Sequence, residues 1–274
     1  MAYLFAFDLD ATVLPDYRVL EPRLQGAVSR ARAAGHRCMI ATARPLPCAK
    51  WVWDALELDT PICLQNGARL MHPGDPTYPE AETVISAEAV ESALTAVFSR
   101  WPDAHVFLEY GDQLWVTRMP QGGYFGVLAE DCDTHLFSAD CIPHIPAARI
   151  GVFLSDLDAL QACADHFAPD TGLHIIPQPK FADGPRCLIY PRAADKWHAV
   201  ARVAGEMGIP RENIVTFGDA WNDFTMLREA GQGYALLGSA AADQPDIPHT
   251  TRLRCAEGGV ADIIDLLTQA SAHT

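Results

Sequence analysis

Positive charge is scarce in this sequence. Twenty lysines and arginines stand against 35 aspartates and glutamates in 274 residues, for a formal net charge of −15. Nucleic acid and anionic membranes are bound by clustered Lys and Arg, so neither is expected as a general partner. A small anionic substrate stays open, provided cationic groups gather at its site. No apolar run approaches ~18 residues, so no membrane span is expected. The N-terminus lacks a basic region followed by an apolar stretch and a small-residue cleavage site, so no signal peptide is expected. The eight cysteines form no CxxC pair, which excludes a zinc ribbon or a thioredoxin-like motif. Cys38, Cys63 and Cys187 lie in apolar stretches and read as small core residues. A reduced, cytoplasmic setting fits them. The ten histidines show no HExxH spacing and read as surface or core residues. Internal repeats, low-complexity segments and a heptad seam are also absent, and the charge does not decide an oligomeric state.

With 49% hydrophobic and 20% charged residues, the chain can build a sizeable core, as one large or two ordinary domains. Residues 3–9 read as a short apolar strand. Leu24, Val28 and Ala31 recur at helical spacing and Gly35 stops that helix. "RCMIATAR" (37–44) is a second strand, so a βαβ unit with parallel strands opens the chain. A helix is expected at 49–58, and a hairpin-type turn at Asn66-Gly67. Residues 73–82, rich in Pro, Gly and acids, read as a linker. The middle block reads as α+β: a helix near 86–100, strands within 105–118 and at 149–154, a helix at 156–167, and strands at "LHIIPQ" and "RCLIYP". Within it "QGGYFG" (121–126) reads as flexible. After 191 the alternation resumes: helix 195–207, strand 213–219, helix 222–230, strand 234–238 and helix 258–269. The pattern predicts an α/β, doubly wound parallel sheet in two pieces with an α+β domain inserted between them.

In such sheets ligands bind beyond the carboxyl ends of the strands. Asp8, Asp10 and Thr12 follow the first strand in "FDLDATVL". Thr42 and Arg44 follow the second, Asp219, Asn222 and Asp223 follow the strand at 213–219, and Lys196 opens the helix where the core resumes. Two like charges at ~4 Å repel by about 4 kcal/mol at an effective dielectric of 20. Oxygen-only ligands that must be held together favour Mg²⁺. Taken singly the residues have plainer readings. Asp10 can cap a turn, Thr42 can begin a helix, Asn222 and Asp223 can open one, and Lys196 can be a solvated lysine.

Together these segments resemble the haloacid dehalogenase superfamily, close to its Cof-type phosphatase branch. "FDLDATVL" matches the first motif, DxDxT; "ATAR" the second, Lys196 the third and "GDAWND" the fourth, along nearly the whole chain. The resemblance implies a Rossmann-like catalytic core at 1–81 and 190–274 and an α/β cap at 82–189. It implies a Mg²⁺-dependent phosphatase acting on small phosphomonoesters, sugar phosphates foremost, with a phosphorylated metabolite as partner. Asp8 is then the nucleophile that forms an aspartyl-phosphate, and Asp10 the general acid and base. Thr42 and Lys196 hold the phosphoryl oxygens, Asn222 orients phosphate or Asp8, and Arg44 sits at the pocket wall. Asp8, the Asp10 carbonyl and Asp219 bind the metal, with Asp223 in support. Thr12 shapes the loop by hydrogen bonds.

Three positions depart from the family pattern. Ala11 stands in place of Gly, which requires a negative φ there. Gln65 replaces Ser or Thr, and "LLGSA" puts Ser239 where Asn is usual. Trp221 is expected either to line the crevice or to pack in its loop. Tyr124, His174, Lys180 and Arg186 are the candidate cap contacts, with "QGGYFG" as hinge or entrance. A non-hydrolytic sensor of a phosphorylated metabolite and a phosphomutase are the alternatives on the same scaffold.

Overall fold

A computed structural model describes residues 2–170, 172–180 and 184–271. The chain opens with β1 (Leu4–Phe7), α1 (Leu24–Ala33), β2 (Arg37–Ile40), α2 (Leu46–Ala55), β3 (Ile62–Leu64), β4 (Arg69–Met71) and β5 (Ala81–Glu82). Its middle holds α3 (Ala87–Arg100), β6 (His105–Tyr110), β7 (Gln113–Val116), α4 (Gly123–Asp131), β8 (Asp133–Leu136), β9 (Arg149–Phe153), α5 (Leu157–Phe167), β10 (Leu173–Gln178) and β11 (Arg186–Pro191). The last part is α6 (Lys196–Glu206), β12 (Ile214–Gly218), α7 (Phe224–Glu229), β13 (Gln232–Ala235), β14 (His249–Thr250) and α8 (Gly259–Ser271). Two compact units result: Met1–Arg44 with Ala49–Ala81 and Asp195–Thr274, and Pro45–Cys48 with Glu82–Ala194. No helix among the described residues is long and apolar enough to cross a membrane.

The first unit is built on a five-stranded sheet in the order β14-β13-β12-β1-β2, parallel throughout. All four residues of β1 are buried, as a strand covered on both faces requires. Leu4 and Ala6 join Met39 and Ile214 against Val200 and Val203 of α6 and Met226 of α7. Phe5 and Phe7 point the other way by the period of the strand. α1 packs against β2 and α8, and Arg30 forks onto Asp265 of α8 at 2.9 and 2.8 Å. β1 therefore lies inside the sheet with β12 on one side and β2 on the other, the doubly wound arrangement that the alternation predicts.

His36, between α1 and β2, is buried. Its Nδ1 accepts from the Tyr3 N–H at 3.2 Å and its Nε2 lies 3.0 Å from Ser271 Oγ. Burial holds its pKa below the ordinary value. The unfolded chain then binds the proton first as pH falls, so stability from this group is present above about pH 6.5 and is lost below it. Urea denaturation between pH 7.5 and 5.5 is expected to show the loss, bounded at about 1.4 kcal/mol per pH unit for one proton. His36→Gln is expected to flatten the slope.

The second unit has a six-stranded sheet in the order β10-β11-β9-β6-β7-β8, antiparallel except for the parallel pair β7–β8. Val90 and Leu94 of α3 and Leu160 and Cys163 of α5 cover one face, against Val106, Leu108, Ile150 and Val152. Phe107, Glu109, Gly151 and Phe153 alternate onto the other face. The stretch read as flexible is the start of α4. Gly122 sits at its N-cap with φ 69°, and Phe125 anchors the helix by burying against Phe107, ring centroids 4.5 Å apart. Sequence reading also omits β8 and β14, edge strands with little buried surface. It sets the strand at 234–238 too late, since β13 ends at Ala235.

Two of the expected cap contacts serve the unit's own packing. The Tyr124 hydroxyl accepts from Arg149 Nη2 at 3.2 Å, and buried Arg186 donates from Nε to Gln178 Oε1 at 2.6 Å. His174 packs its ring beside Tyr190, and Lys180 is exposed.

Candidate active site

Three parallel strands end side by side. Phe7 is in register with Ile40 and with Phe217. The Asp8 N–H continues the ladder to the Phe217 carbonyl at 3.0 Å, and the Ala41 N–H does the same to Phe7 at 3.0 Å. Asp8, Thr42 and Asp219 are thereby delivered to one edge. α6 starts at the same edge, where Asp195 caps it by accepting from the Trp197 N–H at 2.7 Å, so Lys196 is its first residue.

Lys196 Nζ lies 2.6 Å from Asp8 Oδ1 and 2.7 Å from Asp223 Oδ1. Asp223 is wholly buried, and its Oδ2 accepts from the N–H groups of Asp219 and Ala220 at 3.0 and 3.1 Å. One carboxylate thus orients both the lysine and the loop that carries Asp219. Buried Thr12 donates its hydroxyl to Asp219 Oδ1 at 3.1 Å, so it positions that acid. Oxygens of Asp8, Asp219 and Asp223 all lie within 4.8 Å of one another.

Burial pushes the Asp8 carboxyl well above its usual range; Lys196 opposes this, and Asp223, Asp219 and Asp10 add to it. Burial, followed by Asp223, pushes Asp219 up to about 7. Burial pulls Lys196 down, but Asp223 and Asp8 outweigh it and hold the ammonium above its usual range. Two buried carboxylates and the half-buried Asp219 stand beside one cation, so the cluster carries excess negative charge. Lys196 and two N–H groups already engage both oxygens of Asp223, whereas Asp8 and Asp219 each keep an oxygen. That all-oxygen set fits a hard divalent cation such as Mg²⁺.

Thr42 is buried, and its Oγ1 accepts from the Arg44 N–H at 3.1 Å, which leaves its own proton to donate. Asn222 donates to Asn66 Oδ1 at 3.1 Å. Sequence reading saw Asn66 only as a turn residue. Asn66 belongs to a run of left-handed residues, Gln65, Asn66 and Gly67, with φ of 51°, 60° and 91°. A Cβ at Gly67 would stand 2.3 Å from the Asp195 carbonyl oxygen, so the turn lies directly on the cap of α6.

Two expectations need correction. Arg44 is not at a pocket wall: it is fully buried, and its guanidinium forks onto Asp10 at 2.9 and 2.5 Å while also donating to the Tyr17 carbonyl at 2.9 Å. A long side chain leaving a buried turn reached a carboxylate, and Arg44 thereby positions Asp10. The Asp10 carboxylate is accordingly outside the acidic cluster. The second correction is Ala11, whose φ is +57° rather than negative. Ala11→Gly is expected to relieve that strain and stabilise the protein by about 1 kcal/mol, read as a higher urea midpoint with an unchanged slope.

A doubly wound core with this acid–lysine cluster at its strand ends defines a hydrolase class. The chain belongs to the haloacid dehalogenase-like hydrolases, whose sequence model matches residues 5–264. It is similar to the 5-amino-6-(5-phospho-D-ribitylamino)uracil phosphatase YitU of Bacillus subtilis (strain 168), 27% identical over 275 residues covering 94% of this chain and 95% of that one. It is also similar to the pyridoxal phosphate phosphatase YbhA of Escherichia coli (strain K12), 27% identical over 245 residues, 85% of this chain and 87% of that one. A haloacid dehalogenase-like hydrolase structure from Bacteroides thetaiotaomicron superposes with a TM-score of 0.80 at 18% identity, over 97% of this chain and 100% of that one.

Proposed function

We propose that the chain is a phosphatase of small phosphomonoesters, sugar phosphates foremost, working through an aspartyl-phosphate on Asp8. The observation that carries this reading is Lys196 held between Asp8 and Asp223 beside Asp219. One carboxylate oxygen of Asp8 attacks phosphorus and the bond to the leaving oxygen breaks. Asp10, which enters this step protonated on an oxygen that has left the Arg44 fork, gives that proton to the leaving oxygen. Water then attacks the phosphoryl group, Asp10 takes its proton, and inorganic phosphate and free Asp8 result. Lys196 and the Thr42 hydroxyl hold the phosphoryl oxygens, and Asn222, steadied by Asn66, orients the phosphate or Asp8. Mg²⁺, held by Asp8, the Asp10 carbonyl and Asp219 with Asp223 behind them, supplies the charge neutralisation that phosphoryl transfer needs. We assign the second unit as the cap that selects the leaving group. The names of the relatives, which specify small phosphorylated metabolites, support the substrate class. That none of the eight cysteines is disulfide-bonded among the described residues supports a cytoplasmic setting.

The test is phosphate release from a panel of sugar phosphates and phosphorylated heterocycles, with Mg²⁺ and with chelator. Metal-dependent release is expected, and the ranking identifies the leaving group. No release from folded, Mg²⁺-bound protein would move the reading to a sensor on the same scaffold.

A further inference from the structure

We propose that the second unit pairs with a second copy of this chain through the outer edge of β8, so that the two six-stranded sheets run on into each other. The sheet edges of the protein differ in how they are closed. β5 and β14 are two residues long. β2 passes on to β3 through a bridge from Ala41 to Cys63. β10 carries Pro177, which has no N–H to give. β8 is Asp133-Thr134-His135-Leu136, four residues with neither proline nor lysine among them, and it ends its sheet. That is the kind of edge on which another strand pairs.

Register and charge select the occupant. The Asp133 and Phe137 N–H groups donate inward, to the Asp112 and Val116 carbonyls at 3.2 and 3.1 Å. By the strand period His135 also faces β7, and the N–H and C=O groups of Thr134 and Leu136 face outward. A copy laid antiparallel about a two-fold axis at His135 sets each Thr134 opposite the partner's Leu136. Each of these pairs exchanges both N–H···O bonds, so every outward group is used. On the other face, His135 Nε2 lies 3.1 Å from Asp133 Oδ2 of its own chain. The antiparallel copy adds the partner's Asp133 at the diagonal position, within reach of a long side chain, so each imidazole stands between two carboxylates. A foreign strand would take the same backbone bonds; the acid–imidazole match, which recurs when the strand is reversed, favours a second copy. Leu136, 65% exposed, supplies apolar surface, next to a groove of about 450 Å³ lined by Trp115, Phe137, Pro143 and Ile145 among others. The two-fold axis closes the assembly at two chains.

The test is sedimentation equilibrium of the full chain over roughly 1–100 µM near neutral pH. A monomer–dimer equilibrium without larger species is expected. Leu136→Lys is expected to weaken dimerisation at least about tenfold, with unaltered circular dichroism. His135→Cys reads the axis itself. Residues opposed without hydrogen bonds have Cα atoms about 4.5 Å apart, so the two introduced thiols are expected to exchange with oxidised glutathione, giving one inter-chain disulfide and two reduced glutathiones. Mass spectrometry of the linked peptide identifies it. Thr134→Cys, which stands opposite a leucine, is expected not to link. A chain that stays monomeric throughout, a dimer that Leu136→Lys leaves as tight, absence of the 135–135 link, or equal linking by Thr134→Cys overturns the proposal.

Discussion

Asp8→Asn is expected to lower phosphate release at least about 10³-fold while leaving the folded protein at least as stable. The first half follows from the role proposed for Asp8: an amide oxygen is a poor nucleophile, and loss of the covalent step leaves only what positioning supplies. The second follows from burial. The folded-state pKa of Asp8 lies well above 3.8. Between those values the folded state binds more protons than the unfolded one, so ionised Asp8 erodes stability as pH rises. Asparagine has no such cost, and Lys196 keeps Asp223 as its partner at 2.7 Å. The checks are single-turnover phosphate release and urea denaturation of metal-free protein at pH 7.5. Turnover near the parent rate would remove Asp8 from the mechanism.

Lys196→Met is expected to reverse that pattern in stability. Its ammonium is 1% exposed and is shared by two carboxylates that are almost equally buried. Removing it strands both charges, and breaking a buried pair from one side costs about 3–5 kcal/mol. Metal-free Lys196→Met should therefore unfold at markedly lower urea than the parent at pH 7.5. Added Mg²⁺ should recover part of the difference, because a cation held by Asp8 and Asp219 replaces some of the missing positive charge. Phosphate release should fall at least about 10²-fold even with metal. A metal-free variant as stable as the parent would mean that the lysine does not balance the cluster.

Asp8, Lys196, Asp219 and Asp223 were legible because each directly follows or opens an element whose apolar pattern is unmistakable. Residues at the ends of parallel strands have little choice but to meet. Side-chain direction was less legible. Nothing in "ATARP" says whether Arg44 reaches outward or folds back, and the answer depends on the loop that brings Asp10 and the Tyr17 carbonyl within reach. Ala11 carried a misleading signal, since a Cβ argues against a left-handed backbone; the turn at 9–14, closed by the Val13 and Leu14 N–H groups on the Leu9 carbonyl, overrides it. "QGGYFG" misled in the opposite way. Its two glycines dominate a local reading, but they stand at the start of α4, and the helix is secured by the contact of the Phe125 ring with Phe107 of β6, which a local window does not include. The short edge strands β8 and β14 bury too little to leave an alternating pattern.

The position of β1 also governs how the protein is made. Leu4 pairs with Arg37 on one side and with Ile214 on the other. During synthesis the first neighbour arrives almost at once. The second is still to be polymerised, a wait of roughly 10–40 s at bacterial to eukaryotic elongation rates. Until then the nascent chain presents an apolar strand with one open edge, the geometry that recruits another chain. Ribosome stalling or premature termination before β12 would therefore release a species prone to self-association, whereas the six-stranded sheet of the second unit, whose strands all lie between His105 and Pro191, can close before the ribosome reaches the end.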